Sequence, residues 1–161
     1  MHIACTSEIV TCDLMSHAYS AQFVHIVFST KERRDLIPIV LQPRLVAYLA
    51  GIVRRLGLDS LAIGGTQNHL HLLIGIRPTS RLSDSVQKLK ANSSRWLGEQ
   101  GIQFEWQRGY GAFSVSPSMI TVVTDYIEHQ KEHHSKRTFD EEFLALLRKA
   151  GVKFDEADAL G

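Results

Sequence analysis

Cysteine is nearly absent from these 161 residues: Cys5 and Cys12 are the only two, both close to the amino terminus. Their spacing matches neither a zinc knuckle nor a redox C-x-x-C pair, which excludes a disulfide framework and leaves them as incidental thiols. No apolar run reaches the roughly 20 residues that a membrane-spanning helix needs. The opening stretch MHIACTSEIVTCDLM has no basic start, no apolar segment and no small-residue cleavage site, so it carries no export signal and a cytoplasmic location is expected. Internal repeats, low-complexity tracts and long linkers are missing as well, which leaves about one domain's length of chain. A hydrophobic fraction of 44% and a mean hydropathy of −0.07 fall in the range of soluble globular proteins.

Charge of one sign is scarce overall, with a net of +1, but it is unevenly placed. Residues 1–14 hold Glu8 and Asp13 and no Lys or Arg, and residues 140–161 hold six acidic against three basic side chains. The body between them therefore carries fifteen Lys/Arg against nine Asp/Glu. That distribution suits a basic body with an acidic tail, and it equally suits solubility charges scattered over a surface.

The stretch AYSAQFVHIVFST (18–30) is rich in β-branched and aromatic residues and reads as a strand. In LQPRLVAYLAGIVRRLG (41–57), Leu45, Leu49, Ile52, Val53 and Leu56 recur at helical spacing, with Gly57 where a helix stops. DSLAIGGTQ (59–67) and HLHLLIGI (69–76) form two strands with almost no connection, which predicts an antiparallel hairpin. A second helix is expected over 80–101, with Ser80 as N-cap and Leu82, Val86, Leu89 and Leu97 as its buried stripe. A strand region broken by Gly109 and Gly111 follows over 102–116. The resulting β-α-β-β-α-β order is the ferredoxin-like split β-α-β pattern of the α+β class: an antiparallel sheet of four to five strands with two helices on one face. A third helix, extra to that pattern, is expected over 116–134, opened by Ser116 and Pro117. The remainder divides into a turn and an amphipathic helix over 135–151 and an acidic end expected to be mobile.

The chemistry gathers at two places. In a strand, residues i and i+2 point to the same side about 6.6 Å apart, so His69 and His71 project together while Leu70 and Leu72 face the core. Such a pair can share a divalent cation, or it can consist of half-buried histidines satisfied by nearby polar groups. On the third helix, Val123, Tyr126, Ile127 and Gln130 occupy one face. Gln130 can offer a carbonyl oxygen as third ligand and Tyr126 a hydroxyl beside it, or the two can be a core aromatic and a hydrogen-bonded amide. His25, His129, His133 and His134 read as structural or surface groups.

Together these segments resemble the single-tyrosine HUH transposases of the insertion-sequence 200/605 family. HLH (69–71) is similar to its His-hydrophobe-His motif and YIEHQ (126–130) to its Tyr-x-x-x-Gln helix. FVHIVFSTKERRDLI (23–37) looks like its first strand and basic loop, and FEWQRGYGAFSVS (104–116) like the segment before its catalytic helix. The resemblance spans about 17–138. It implies that His69, His71 and Gln130 hold a divalent ion, Mg²⁺ or Mn²⁺, and that Tyr126 is the nucleophile, with no nucleotide cofactor. Imidazole ligands favour Mn²⁺ over Mg²⁺ on chemical grounds. The implied reaction cleaves and rejoins single-stranded DNA, recognised as a hairpin, through a 5′-phosphotyrosine. The implied assembly is a homodimer whose tyrosine helix acts in trans.

For DNA contact the expected residues are Lys31, Arg33 and Arg34 after the first strand, Lys88, Lys90 and Arg95 on the second helix, and Trp106 with Arg108. The helix charges also fit a plain solvated face. The resemblance divides the chain into a surplus leader (1–14), expected to be disordered, a catalytic domain (15–138) that begins naturally at Met15, and an acidic helix and tail (139–161). A rival reading keeps the fold as a domesticated, non-cutting module that binds hairpin DNA or RNA. A two-histidine phosphoesterase fits worse, since only HHS (133–135) approaches its His-x-Ser/Thr motif.

Overall fold

The computed structural model describes residues 19–134 and 136–161. Cys5, Cys12, the 1–14 leader, Met15 and Ser135 lie outside the described residues. Four strands form one antiparallel sheet: β1 (Gln22–Ser29), β2 (Asp59–Gly65), β3 (His69–Ile76) and β4 (Gly111–Val115), in the spatial order β2-β3-β1-β4. With α1 (Gln42–Arg55) after β1 and α2 (Leu82–Glu99) after β3, this is the expected ferredoxin-like α+β architecture. A fifth strand is reduced to one bridge between Thr30 and Trp106.

The sheet is covered on both faces, which explains why β1 and β3 read as continuous apolar runs rather than alternating ones. Val24, Ile26 and Phe28 of β1 and Leu70, Leu72 and Ile74 of β3 pack with Leu45, Leu49 and Val53 of α1 and Val86, Leu89 and Leu97 of α2. Each such buried aliphatic contributes about 1.5–3 kcal/mol relative to exposure. Gly57 ends α1 at φ +71°, and the Leu58 amide donates back to the Val53 carbonyl at 3.1 Å, a left-handed stop that glycine adopts without a Cβ penalty.

The opposite face carries the alternate residues. Phe23 and Leu73 pack with Ile127 of α3 (Ile120–Glu128), and Val27 and Phe113 pack with Phe139 and Leu147 of α5 (Phe139–Lys149). Between them lies the five-residue α4 (Gln130–His134).

Several element ends differ from the sequence expectation. Ser80 sits in a turn, its amide bonded to the Arg77 carbonyl at 2.9 Å, and Arg81 takes the N-cap position of α2. Ser116 bonds Ser118 at 3.1 Å, Pro117 opens a 3-10 turn (Pro117–Met119), and α3 begins only at Ile120. The helix expected over 116–134 breaks at His129, where Gln130 Nε2 donates to the Tyr126 carbonyl at 3.3 Å. That side-chain bond competes for the carbonyl an unbroken helix would use. The chain end forms α6 (Glu156–Leu160) and is tied down: Arg148 meets Glu156 at 2.5 Å, and Gln107 Nε2 donates to the Gly161 carbonyl at 2.6 Å.

Candidate active site

Strand parity on β3 sends His69, His71 and Leu73 to the α3/α5 face. Both imidazoles are fully buried, so each ring nitrogen needs an assigned partner. His69 Nδ1 lies 2.7 Å from Asn68 Oδ1 and 2.9 Å from Thr66 Oγ1. A proton on Nδ1 donated to the amide oxygen turns the Nε2 lone pair inward. His71 Nδ1 lies 2.9 Å from Nε2 of His25. His25 is paired with Leu73 in the β1–β3 register, so it stands diagonally across from His71 on the same face.

Opposite the histidines, α3 and α4 supply Tyr126 and Gln130. Helix and sheet approach closely because β2 carries Gly64 there: a Cβ at Gly64 would stand 2.4 Å from the Ile127 carbonyl oxygen. Gln130, buried, places Oε1 at 3.2 Å from His69 Nε2. The Tyr126 ring stands edge-on to His71 with centroids 5.7 Å apart. His69, His71, Gln130 and Tyr126, predicted as one site, are thus brought together within a single chain.

Sequence reasoning missed the carboxylate at the centre of this group. Glu142 of α5 accepts the Tyr126 hydroxyl on Oε1 and the Gln130 amide on the same atom at 3.1 Å. Its oxygens also lie 3.5 Å from His71 Nε2 and 3.8 Å from His69 Nε2. Burial pushes the Glu142 carboxyl up to about 7, against the pull of His69. Burial, and then His71, push His25 down to about 3, which keeps that ring neutral.

The donor set can hold a metal ion. Ligand atoms of His69, His71 and Glu142 all lie within 4.8 Å of one another, buried. Donors about 2.1 Å from a shared ion stand roughly 3.0–3.4 Å apart, close to the 3.2–3.8 Å separations here. Each histidine also has its far nitrogen held, as metal-ligating histidines do.

The expected DNA-contact residues are scattered. Lys31 pairs with Glu105 at 2.7 Å and Arg34 with Glu32 at 3.5 Å. Arg33 pairs with Asp140, reaches the Ala159 carbonyl at 3.4 Å and lies over Phe139. Lys90 is half-buried, its ammonium donating to the Gln107 and Gly109 carbonyls at 2.6 and 2.8 Å. Trp106 is buried, packed on Phe28 and Phe104 with its N–H on Ser93 at 3.0 Å, so its face is taken by the core. Lys88, Arg95 and Arg108 are exposed, Arg95 donating to Asn92 at 2.8 Å.

The family model described as "Transposase IS200 like" matches residues 18–130, the segment that holds β1 through Gln130. The chain belongs to the IS200-like transposase family. Among solved structures, a protein provisionally named a transposase, from Deinococcus radiodurans R1, is similar to it with a TM-score of 0.59 and 23% identity. That likeness covers 74% of this chain and 98% of the other. A REP-associated tyrosine transposase bound to a REP hairpin is similar with a TM-score of 0.56 and 12% identity, covering 77% of this chain and 74% of that one. No curated protein matches the chain. For this IS200-like transposase, both structural likenesses establish the shared fold. No helix among the described residues is long and apolar enough to cross a membrane. Glu142 lies beyond the family-matched segment, so neither the motif nor its spacing pointed to it.

Proposed function

We propose that this transposase cleaves and rejoins single-stranded DNA through a 5′-phosphotyrosine on Tyr126. His69, His71 and Gln130 would hold a divalent ion, Mn²⁺ or Mg²⁺, with Glu142 beside them. The observation that carries the reading is the meeting of the partly exposed Tyr126 and the buried Gln130 with the inward nitrogens of the buried His69 and His71. A bound divalent ion supplies charge neutralisation for the nonbridging phosphate oxygens.

The residues of the chain account for the rest. Tyr126 attacks the phosphorus, the bond to the 3′-oxygen breaks, and that oxygen leaves as a hydroxyl. The phenol already donates to Glu142 Oε1, so above the raised carboxyl pKa of about 7 the proton released on attack has a carboxylate to receive it. Phenol, with an ordinary pKa near 10, is a better leaving group than a sugar alkoxide. A second 3′-hydroxyl can therefore displace it and conserve the bond energy. The hairpin bound by the REP-associated relative supports a hairpin as the recognised DNA. A homodimer belongs to the same reading, and exchange of its tyrosine helices would carry α3 and α4 from this chain's histidines to those of the partner.

The test is incubation of the purified protein with labelled single-stranded hairpin DNA and Mn²⁺, read on a denaturing gel. A covalent protein–DNA band is expected that disappears in Tyr126→Phe and weakens in His69→Ala. Undiminished cleavage by Tyr126→Phe refutes the nucleophile, and hairpin binding without any cleavage favours the non-cutting module. Mixing Tyr126→Phe with His69→Ala reads the arrangement: recovered cleavage assigns the tyrosine to the other subunit's site, and no recovery keeps it in its own.

A further inference from the structure

The cluster contains one buried side chain that the reaction just described leaves without a task. His25 is 4% exposed, in the middle of β1, one of the two interior strands, and its Nε2 lies 2.9 Å from His71 Nδ1. Its ring also stacks on His71 with centroids 5.1 Å apart and meets the Tyr126 ring edge-on at 6.2 Å.

One proton serves the hydrogen bond between two neutral imidazoles, so the pair has two tautomeric arrangements. If His25 donates from Nε2, His71 carries its own proton on Nε2, the nitrogen that faces Glu142. Donation from His71 Nδ1 instead turns the His71 Nε2 lone pair into the cluster. Only this second arrangement lets His71 act as a ligand. His69 has the equivalent control from Asn68 and Thr66, but those are local residues on its own turn. His71 depends on a residue 46 positions away.

We propose that His25 is a positioning residue for the metal centre: it accepts the Nδ1 proton of His71 and so holds His71 in the tautomer that binds a divalent ion. The proposal rests on the metal-assisted reading above. Through its edge contact with Tyr126, the same ring ties the ligand strand to the nucleophile.

Mn²⁺ affinity of the full chain, measured by titration calorimetry or by the free-Mn²⁺ electron paramagnetic resonance signal, tests it without DNA. Loss of an orienting partner of this kind typically costs 10–100-fold in metal affinity. His25→Leu, which fills the space without an acceptor, is expected to weaken Mn²⁺ binding by that factor. His25→Gln, whose amide oxygen can reach the place of Nε2, is expected to restore it to within a few-fold. A simple packing role would give the opposite order, because Leu suits an apolar strand better than Gln. In the wild-type protein loaded with diamagnetic Zn²⁺, nitrogen-15 correlation spectra should place the His71 proton on Nδ1 and the His25 proton on its own Nδ1.

Equal Mn²⁺ affinity in wild type and His25→Leu would overturn the proposal while leaving the metal-assisted reading intact, and so would a His71 proton on Nε2 in the loaded protein. Absence of Mn²⁺ binding by the wild type would overturn both. If His25→Leu fails to fold, the His25→Gln affinity and the wild-type spectra decide by the same criteria.

Discussion

Replacing Gly64 with alanine asks how closely the tyrosine helix must lie on the sheet. The new methyl would stand 2.4 Å from the Ile127 carbonyl oxygen and 3.1 Å from Ile127 Cγ2, whereas ordinary contact begins near 3.4 Å. Relief requires about 1 Å of movement, and the contact is with helix backbone, so no flexible side chain can absorb it. Ile127 follows Tyr126 directly and precedes Gln130 by one turn, while Gly64 pairs with His71 in the sheet. The shift therefore opens the gap between the phenol and the imidazoles. A displacement of 1 Å at a reacting centre can cost about 100-fold in rate, and overpacking of this kind destabilises a fold by about 1–3 kcal/mol. Single-turnover formation of the covalent protein–DNA band should slow about 100-fold in Gly64→Ala, in protein still folded by circular dichroism. The control is Gly51→Ala in α1, where nothing lies within 4 Å of the added methyl. It should leave the rate unchanged and stabilise by about 0.5–1 kcal/mol, the usual gain for Gly to Ala inside a helix. A folded Gly64→Ala protein that forms the band at the wild-type rate would refute the idea that this close approach sets the position of Tyr126.

In chelator, the stability of the metal-free protein should depend on pH in two opposing ways. The folded state keeps a proton on Glu142, held up at about 7, that the unfolded chain has lost above its ordinary 4.5; stability therefore falls as pH rises through that window, on the order of 3 kcal/mol in total. His25 acts in the other direction: its pKa, held down at about 3, keeps it neutral while the unfolded chain takes a proton below 6.5, so stability falls as pH drops from 6.5 toward 3. Denaturant titrations should then find a plateau between about 4.5 and 6.5, and Glu142→Gln should remove the decline on the alkaline side. With Mn²⁺ present, loss of the carboxylate should weaken metal binding, measured by calorimetry, and unaltered affinity would place Glu142 outside the ligand set. Thr138→Ala removes the capping box that starts α5, where Thr138 and Glu141 bond each other's backbone amides at 3.3 and 3.0 Å. It should cost about 1 kcal/mol in a thermal melt and loosen the helix that carries Glu142. Trp106→Phe removes the indole N–H that donates to the buried Ser93 hydroxyl, which keeps its own bond to the Leu89 carbonyl at 2.6 Å, and the lost bond should lower stability by about 0.5–1.5 kcal/mol without changing the salt dependence of DNA binding.

The split β-α-β order was legible because apolar residues change period from 2 to 3.6 where strand gives way to helix. His69 and His71 were legible as a pair for a local reason: strand parity alone sends i and i+2 to one face. Tyr126 and Gln130 share a helix face by the same kind of short-range rule. His25 follows no local rule with respect to His71, since their contact depends on the β1–β3 register, which pairs His25 with Leu73. What each expected DNA-contact residue packs against was not legible, because residue type says nothing of burial. Trp106 and Lys90 look like nucleic-acid contacts in sequence, yet the indole fills the core and the ammonium satisfies two loop carbonyls.

Three consecutive carboxylates at the start of α5 make the same point in miniature. Asp140, Glu141 and Glu142 read together as acidic charge at a helix amino terminus, favourable there through the helix dipole. Their helical phases separate them by 100° each, and the structure gives each a different partner. Asp140 turns to Arg33, Glu141 caps its own helix through Thr138, and Glu142 enters the tyrosine and histidine cluster. One signal did distinguish the third. Phe139, Phe143 and Leu147 define the apolar stripe of α5, and Glu142 falls on it, three residues after Phe139. A carboxylate on the face a helix buries needs a hydrogen-bonding or charged partner inside the protein, and among the described residues α1 and α2 cover one face of the sheet while α5 packs on the other, the face that carries His69 and His71.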